Sequence, residues 1–159
     1  MSPRAAWRLE GLGFAKVYDY MPGKADWFAN GLPKEGTLAS IPIIGEAARR
    51  DVPTCGLRDT VGHAQEQAQQ AGWDRCVVVN KERVVLGVLR EAEWSTHPDT
   101  VVETVMRNGP ATFRPNEPVG KLAERMRQRG ANAILVTMPD GRLIGLLYRK
   151  DAERIASKT

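Results

Sequence analysis

The stretch DGRLIGLLYRKDAERI, Asp140–Ile155, runs a strand-like apolar segment straight into a charged segment and places a Gly inside the apolar part. A near-copy, ERVVLGVLREAEW, occupies Glu82–Trp94. The separation between Gly87 of the earlier stretch and Gly145 of the later one is called the repeat offset below. The two stretches indicate an internal repeat, which predicts a fold built from two copies of one unit.

The repeat offset extends backward from the two glycines without a gap. Between residues 54–97 and 112–155, nine positions are identical at this offset, and apolar positions agree more widely. The identical pairs are Thr54/Thr112, Val61/Val119, Gly62/Gly120, Glu66/Glu124, Gln70/Gln128, Gly72/Gly130, Val78/Val136, Gly87/Gly145 and Leu89/Leu147. One offset holds through segments of different local pattern, so the repeated unit contains several secondary-structure elements.

Local patterns predict the elements of the second copy. Apolar residues between Val119 and Met126 recur at i, i+3, i+4 and i+7, which predicts a helix with Asn116 as its N-cap and Gly130 at its end. AILVTM and RLIGLL read as strands joined by the turn PDGR, and YRKDAERIA as a short helix. With Thr112–Phe113 as a lead-in strand, the unit is strand–helix–strand–strand–helix, an α/β (α+β) arrangement.

The first copy shows the same order of elements. RDTVGHAQEQAQQAG reads as its helix, RCVVVN and RVVLGVL as its strands, and REAEW as the start of its closing helix. Its turn NKER lacks the Gly of PDGR, so we expect a less regular turn. One such unit is close to the lower size limit for independent stability. We therefore expect the copies to pack sheet against sheet as a pseudo-two-fold pair, with clefts between them.

Composition and charge narrow the class of protein. No apolar run approaches the ~20 residues of a membrane helix, no secretory signal is visible, and the two cysteines lack metal or redox spacing. These features predict a cytoplasmic protein with reduced thiols. The net charge is +2 for residues 1–50, −3 for 51–99 and +5 for 100–159. The basic last third could attract nucleic acid, but no nucleic-acid-binding motif is visible, so we disfavour that partner.

The stretch VVETVMRNGPATFRPNEPVGKLAERMRQRGANAILVTMPDGRLIGLLYRKDAERI, residues 101–155, resembles the CBS domain, and the two copies together resemble a Bateman module. The resemblance implies one CBS repeat over residues 52–97 and a second over 98–156. It further implies a regulatory module that is not an enzyme, pairs into a homodimer, and binds AMP, ADP, ATP or S-adenosylmethionine in a cleft between repeats. No cofactor is required by this interpretation.

The ligand motif of the family is a Gly, two strand positions, a Thr or Ser, two further residues and an Asp that holds the ribose hydroxyls. In the second copy Asp151 is in place and Tyr148 replaces the hydroxyl residue; in the first copy Glu93 replaces the Asp and Arg90 the hydroxyl residue. We therefore expect the ligand chiefly at the second-copy motif. The alternative is a ligand-free protein-interaction and dimerisation module, because both hydroxyl positions are altered.

Further candidates have weaker support. The resemblance implies ligand contacts for Thr54 and Thr112 on the lead-in strands and for Ala133 at an adenine pocket, and Arg149 adds attraction for phosphate. A structural alternative stands beside each: Asp151 is also a favourable first-turn acid, Arg90 could pair with Glu93, and the others suit an ordinary core or surface. We predict no catalytic and no metal-binding residue, since His63 and His97 lack carboxylate or Cys spacing and suit the surface.

The N-terminal segment RAAWRLEGLGFAKVYDYMPGKADWFANGLPKEG is rich in aromatic residues. It predicts a helix over 4–12, a strand over 16–20 and a helix around 24–30. It resembles the C-terminal end of a rhodanese domain, and this match rests on Gly13-Phe14, Val17-Tyr18, Gly23, Trp27 and Gly31-Leu32-Pro33.

We interpret residues 1–36 as a rhodanese-like remnant and 37–51 as a connector. The sulfur-carrying Cys of a rhodanese precedes these elements, whereas Cys55 and Cys76 belong to the repeat. We therefore expect no sulfurtransferase activity. The aromatic residues of the remnant should pack on the repeats or on an unknown protein partner.

Overall fold

The computed structural model describes residues 3–37 and 39–158. The helices are α1 (Pro3–Gly11), α2 (Gly23–Ala29), α3 (Ile44–Ala47), α4 (Val61–Gln70), α5 (Glu91–Trp94), α6 (Val102–Val105), α7 (Val119–Gln128) and α8 (Arg149–Ala156). The strands are β1 (Thr54–Cys55), β2 (Cys76–Val79), β3 (Val85–Leu89), β4 (Arg107–Asn108), β5 (Thr112–Phe113), β6 (Ala133–Thr137) and β7 (Leu143–Tyr148).

Two small mixed sheets carry the fold. In the first, β1 runs parallel to β2, and β2, β3 and β4 are antiparallel neighbours. In the second, β5 runs parallel to β6 and β6 antiparallel to β7. Both hairpins shift register at the same repeat position, between Val78 and Val79 and between Val136 and Thr137. The predicted mixed α/β pair is confirmed, and β4 makes the first sheet one strand larger than predicted.

The segment that precedes each half in the chain packs against the other half. The N–H of Val119, at the start of α7, donates to the carbonyl of Pro42, and the N–H of Val61, at the start of α4, donates to the carbonyl of Thr100, both at 2.9 Å. Helices α3 and α6, which are separated by the repeat offset, thus lie against the opposite half in sequence. Sequence patterns missed both helices, because such short helices carry no periodicity.

A close backbone approach explains the glycines of the repeated stretches. Arg49 and Leu146 exchange two backbone hydrogen bonds of 2.8 and 2.9 Å, and a Cβ on Gly145 would collide with the Arg49 carbonyl oxygen. A Cβ on Gly87 would lie 2.6 Å from the Met106 sulfur. Each of these two positions therefore requires a Gly, because a neighbouring segment of the chain approaches it closely. Residues 42–50, within the predicted connector, belong to this packing.

The hydrophobic core is continuous across the two sheets. One cluster joins Val77 and Val79 of β2 with Leu135 of β6 and Leu146 of β7. A second cluster lies between α7, α8 and the β6–β7 hairpin, and a third lies under α4 in the first half. The predicted packing of sheet against sheet is confirmed.

Several local predictions can be compared with the structure at single residues. Gly130 ends α7 with φ 64°, as predicted, whereas Asn116 is not its N-cap. The helix begins two positions later than a cap at Asn116 requires, because the segment containing Pro42 accepts its first N–H. The expected irregularity of the turn NKER is wrong, because Arg83 adopts φ 62° where Gly141 has φ 88°, and both turns close with the same pair of backbone hydrogen bonds. Both His63 and His97 are exposed, as predicted.

The N-terminal segment is only partly as predicted. Helices α1 and α2 are present, but residues 16–20 form no strand, because no other described segment pairs with them. Ala29 joins the core of the second half. Trp7, Phe14 and Tyr18 are 73%, 59% and 79% exposed, so these aromatic side chains do not pack on the repeats.

Among the described residues, no helix has the length and apolar character needed to cross a membrane.

Candidate ligand cleft

Two adjoining cavities of about 770 and 280 Å³ open between the halves. We call them together the open cleft. Both are lined by Arg75 before β2, Arg90 before α5, Arg107 of β4 and Ala133 of β6. The larger cavity also borders Trp73, Asp74, Trp94, Ala131 and Asn132. The smaller cavity also borders Asn108, and one of its walls is apolar, formed by Val88, Pro110, Ala111, Ile134, Leu135 and Leu146.

The three arginines of the open cleft differ in their partners. The Arg75 guanidinium donates to both carboxylate oxygens of Asp74 at 2.8 and 2.7 Å. Arg107 Nε donates to Glu93 Oε1 at 2.9 Å. Within residues 3–37 and 39–158, the guanidinium of Arg90 makes neither a hydrogen bond nor an ion pair. Arg90 therefore has its donors available to an anion in the cleft.

Glu93, the partner of Arg107, is held in place on α5. It is 8% exposed, and its Oε2 accepts the backbone N–H of Arg90 at 2.9 Å. Burial favours the neutral acid, but the hydrogen bonds from Arg107 and from the Arg90 backbone outweigh it and lower the pKa of Glu93. Oε2 thus caps α5, while Oε1 forms an ion pair with Arg107. The Arg90 side chain attracts Glu93 electrostatically but forms no ion pair with it.

At the second-copy motif, side chains of the chain itself fill the corresponding space. The ring of Tyr148 stacks on Trp73 with centroids 5.6 Å apart and planes 25° apart. The Tyr148 hydroxyl donates to Asp74 Oδ1 at 2.6 Å. The Arg49 guanidinium lies 4.1 Å from the centroid of a Trp73 ring, and Arg75 lies 5.2 Å from that of Tyr148. We call this group of five side chains the closed cleft.

The pKa values of Asp74 and Tyr148 in the closed cleft lie far apart. Hydrogen bonding from Arg75 lowers the pKa of Asp74 to about 2, against the opposing effect of its partial burial. Burial, followed by the hydrogen bond to Asp74, raises the pKa of Tyr148 to about 12. At neutral pH Asp74 is therefore ionised and Tyr148 keeps its proton, so the bond between them persists.

Comparisons with known proteins agree with this fold. Residues 102–157 match the family model of the CBS domain. The cytosolic domain of the Mg²⁺ channel MgtE in complex with ATP superposes with a TM-score of 0.65 at 19% identity, over 74% of this chain and 51% of that one. The chain has the fold of a CBS domain pair.

Two further solved CBS structures are similar over nearly their whole length. CBSX2 in complex with AMP gives a TM-score of 0.64 at 19% identity and covers 74% of this chain and 97% of that one. A CBS domain pair in complex with 5′-methylthioadenosine and S-adenosyl-L-methionine gives 0.63 at 15%, over 74% and 98%. The chain spans about half the length of the magnesium-transporter chains it matches. No curated protein matches it.

The open cleft of the CBS pair collects only some of the predicted site residues. Arg90 and Ala133 line it. Thr54 and Thr112 lie on β1 and β5, and neither is among the residues that line the two cavities. Tyr148 belongs to the closed cleft.

The remaining predicted site residues lie on α8 and have partners there. Asp151 accepts a 2.7 Å hydrogen bond from Arg154, and Arg149 lies 4.0 Å from Glu153. Asp151, the expected ribose anchor, is thus engaged in an ion pair within its own helix.

Sequence reasoning missed two arginines of the CBS pair's open cleft, Arg75 and Arg107. Arg75 corresponds to Ala133 at the repeat offset, just as Arg90 corresponds to Tyr148. Such a break in the repeat is the signal that could have identified Arg75, because a shared scaffold does not require it. Arg107 corresponds to the identical Arg49, so this signal does not mark it.

Both cysteines lie in the core of the first half. Cys55 and Cys76 are free and buried on the neighbouring strands β1 and β2. The Cys55 side chain and burial together raise the pKa of Cys76, so its thiol stays protonated, unlike a reactive thiolate.

The resemblance of residues 1–36 to rhodanese lies outside the matched family region and stays a prediction, as do the limits of the two repeats.

Proposed function

We propose that this CBS domain pair is a non-catalytic regulatory module that binds an adenosine-containing ligand in its open cleft. The observation that carries the proposal is the guanidinium of Arg90, which makes no hydrogen bond or ion pair with the described residues and lies where the two cavities adjoin. A guanidinium whose donors are not used by the described residues, in a cavity of ligand size, is well suited to a phosphate.

The walls of the open cleft suit the parts of a nucleotide. The apolar wall of the smaller cavity, including Val88, Ile134 and Leu146, offers a surface for a base. Arg75, Arg90 and Arg107 lie beside it and suit the phosphates. AMP, ADP and ATP therefore fit the arginines better than S-adenosylmethionine, whose sulfonium is positively charged. The complexes of similar structures with ATP, AMP and S-adenosyl-L-methionine support the choice of an adenosine compound.

The proposed site differs from the sequence expectation, which favoured the second-copy motif. Asp151 pairs with Arg154, and Tyr148 occupies the adjacent space against Trp73. The first-copy motif has the open space but uses Glu93 as a helix cap. We therefore assign ligand contact to Arg90 and Ala133 and leave Asp151 outside the site.

A thermal-shift titration with AMP, ADP, ATP and S-adenosylmethionine tests the proposal. A ligand at ~100 times its Kd should stabilise the folded chain by about 2.7 kcal/mol. We expect the Tm shift in the wild type and in the control Asp151→Ala, and its loss in Arg90→Ala, which keeps the backbone N–H that Glu93 accepts. A shift lost in Asp151→Ala but kept in Arg90→Ala would place the ligand at the second-copy motif.

The regulatory part of the proposal concerns a cytoplasmic homodimer. A ligand that binds one dimer arrangement more tightly shifts the population toward it, and a partner protein then responds to that arrangement. Sedimentation velocity of the full chain with and without ATP measures the dimer and its response. A monomer under both conditions would contradict this part.

The second candidate function is a ligand-free protein-interaction module. The exposed aromatic side chains of Trp7, Phe14 and Tyr18, all within the N-terminal segment, favour it, because a patch of exposed apolar groups marks an interaction surface. It becomes the better proposal if no adenosine compound shifts the Tm of the wild type.

A further inference from the structure

The open and closed clefts occupy equivalent positions in the two halves. At the repeat offset, Arg90 corresponds to Tyr148, and Ala131 of the open cleft corresponds to Trp73 of the closed one. Asn132 likewise corresponds to Asp74, and Arg107 to Arg49. With Ala133 as the counterpart of Arg75, each of the five side chains of the closed cleft has its counterpart among the residues that line the open cleft.

The backbone supports this equivalence. Arg107 pairs with Val88 of β3, and Arg49 pairs with Leu146 of β7, which is the same position in the other half. Arg90 and Tyr148 each follow or end the last strand of their hairpin and precede a helix, α5 or α8. The two clefts thus have the same frame, and their side chains decide what each can hold.

Side-chain size separates the two clefts. In the open cleft Arg90 and the small Ala131 both line the larger cavity of about 770 Å³. In the closed cleft the same two positions hold Tyr148 and Trp73, whose rings stack. Trp73 is buried, and Tyr148 packs with it against the cluster that joins the two sheets.

Tyr148 makes the kinds of contact that an aromatic ligand would make. Its ring stacks on an indole, its hydroxyl donates to the Asp74 carboxylate, and the cationic groups of Arg75 and Lys150 lie 5.2 and 5.5 Å from its ring centroid. Through these contacts Tyr148 occupies the indole face, the carboxylate and the cationic groups to which an aromatic ligand would bind.

We infer that Tyr148 is a built-in occupant of the second cleft and limits the CBS pair to one adenosine ligand per chain. This inference rests on the proposed function for its stoichiometry. Trp73, Asp74 and Arg75 line the open cleft and also hold Tyr148, so a single wall serves both clefts. Tyr148 thereby determines which of two equivalent clefts accepts the ligand.

Isothermal titration calorimetry with ATP tests the stoichiometry on the full chain. We expect one ATP per chain for the wild type, for Tyr148→Phe, which keeps the stacked ring, and for the exposed-tyrosine control Tyr18→Ser. For Tyr148→Ser we expect two. Two ATP per wild-type chain, or one ATP per chain for a folded Tyr148→Ser variant, would overturn the inference.

A second measurement does not depend on nucleotide binding. Tyr148→Gly removes the side chain, and 4-methylphenol supplies its missing ring and hydroxyl. We expect 4-methylphenol to raise the Tm of Tyr148→Gly and to leave the Tm of the wild type unchanged. Equal responses of the two proteins would show that Tyr148 does not fill a ligand-like space. A wild type that binds no ATP refutes the proposed function, whereas this assay decides the occupancy of the closed cleft separately.

Discussion

The two halves of the molecule share their backbone plan and differ in the side chains that face their clefts. The shared plan extends to single hydrogen bonds at equivalent repeat positions: Val102 N–H donates to the Asp59 carbonyl, and Ile44 N–H to the Glu117 carbonyl, each at 2.9 Å. The clefts differ where Arg90 faces space and Tyr148 fills it. A repeated scaffold therefore constrains backbone contacts and leaves cleft side chains free to specialise.

The cores of the halves also differ. Helix α7 buries Leu122 and Met126, whereas the same positions of α4 are Ala64 and Ala68. The second half therefore depends more on large side chains beneath its helix. Comparing the stability of variants of the two halves tests the consequences of this difference.

The largest expected effect is on Leu122→Ala. Leu122 is fully buried in the second-half core, so its truncation removes apolar contacts and leaves a cavity. We expect the free energy of unfolding to fall by about 2–5 kcal/mol. Urea unfolding measures it, with the exposed neighbour Lys121→Ala as the control. A loss no larger than that of the control would contradict the assigned core.

Replacing the equivalent glycines of the two halves by Ala should destabilise the protein to different extents. In Gly145→Ala the new Cβ meets the backbone carbonyl of Arg49, and we expect a loss of about 1–3 kcal/mol or more. In Gly87→Ala the nearest atom is the Met106 sulfur, on a side chain that can move, so the loss should be smaller. Gly120→Ala is the matched control, because its Cβ would stand 4.0 Å from Ala156 within a helix. Equal losses at Gly87 and Gly145 would contradict the difference in contacts.

The helix cap of the first half should be visible in the pH dependence of stability. Because the folded pKa of Glu93 is lowered, its contribution is present above the unfolded pKa of ~4.3 and is lost as the pH falls through the folded value. We expect Glu93→Gln to cost about 1 kcal/mol near pH 7 and to flatten the acid decline. Chemical unfolding from about pH 7 to 3 measures this, with exposed Glu91→Gln as control. An unchanged slope for Glu93→Gln would refute the assignment.

The smallest expected effect is at the corresponding carboxylate of the second half. Asp151→Asn removes one ion pair with Arg154, which is a largely exposed side chain on the same helix. We expect a loss of about 0.3–0.5 kcal/mol. Urea unfolding in low and high salt measures it, since salt should reduce the difference. A loss as large as that for Glu93→Gln would show that the two carboxylates are equivalent after all.

The sequence predicted the elements that have a strong local pattern. The periodicity from Val119 to Met126 gave α7, and the apolar runs on either side of PDGR gave β6 and β7. Helices α3 and α6 and strand β4 were missed. They are very short and are held by contacts with distant segments of the chain, so no local pattern encodes them.

The candidate site was predictable only in part, for a related reason. At the positions of the ligand motif, Asp151 matches the family pattern, whereas Arg90, Glu93 and Tyr148 depart from it. Whether such a position binds a ligand depends on residues that arrive from elsewhere. Trp73 closes the space beside Tyr148, and Ala131 leaves open the space beside Arg90. A pairwise contact between distant segments is a property of the fold, and one sequence does not display it.

The exchange of lead-in segments has a consequence for folding. The start of α7 requires the carbonyl of Pro42, and strand β7 requires Arg49, so the second half is completed by residues that precede the first. These contacts link distant positions and raise the contact order of the chain, which predicts slow folding relative to a helical bundle of the same size. They also predict one cooperative unfolding transition, because neither half retains its full set of backbone bonds once the other has opened.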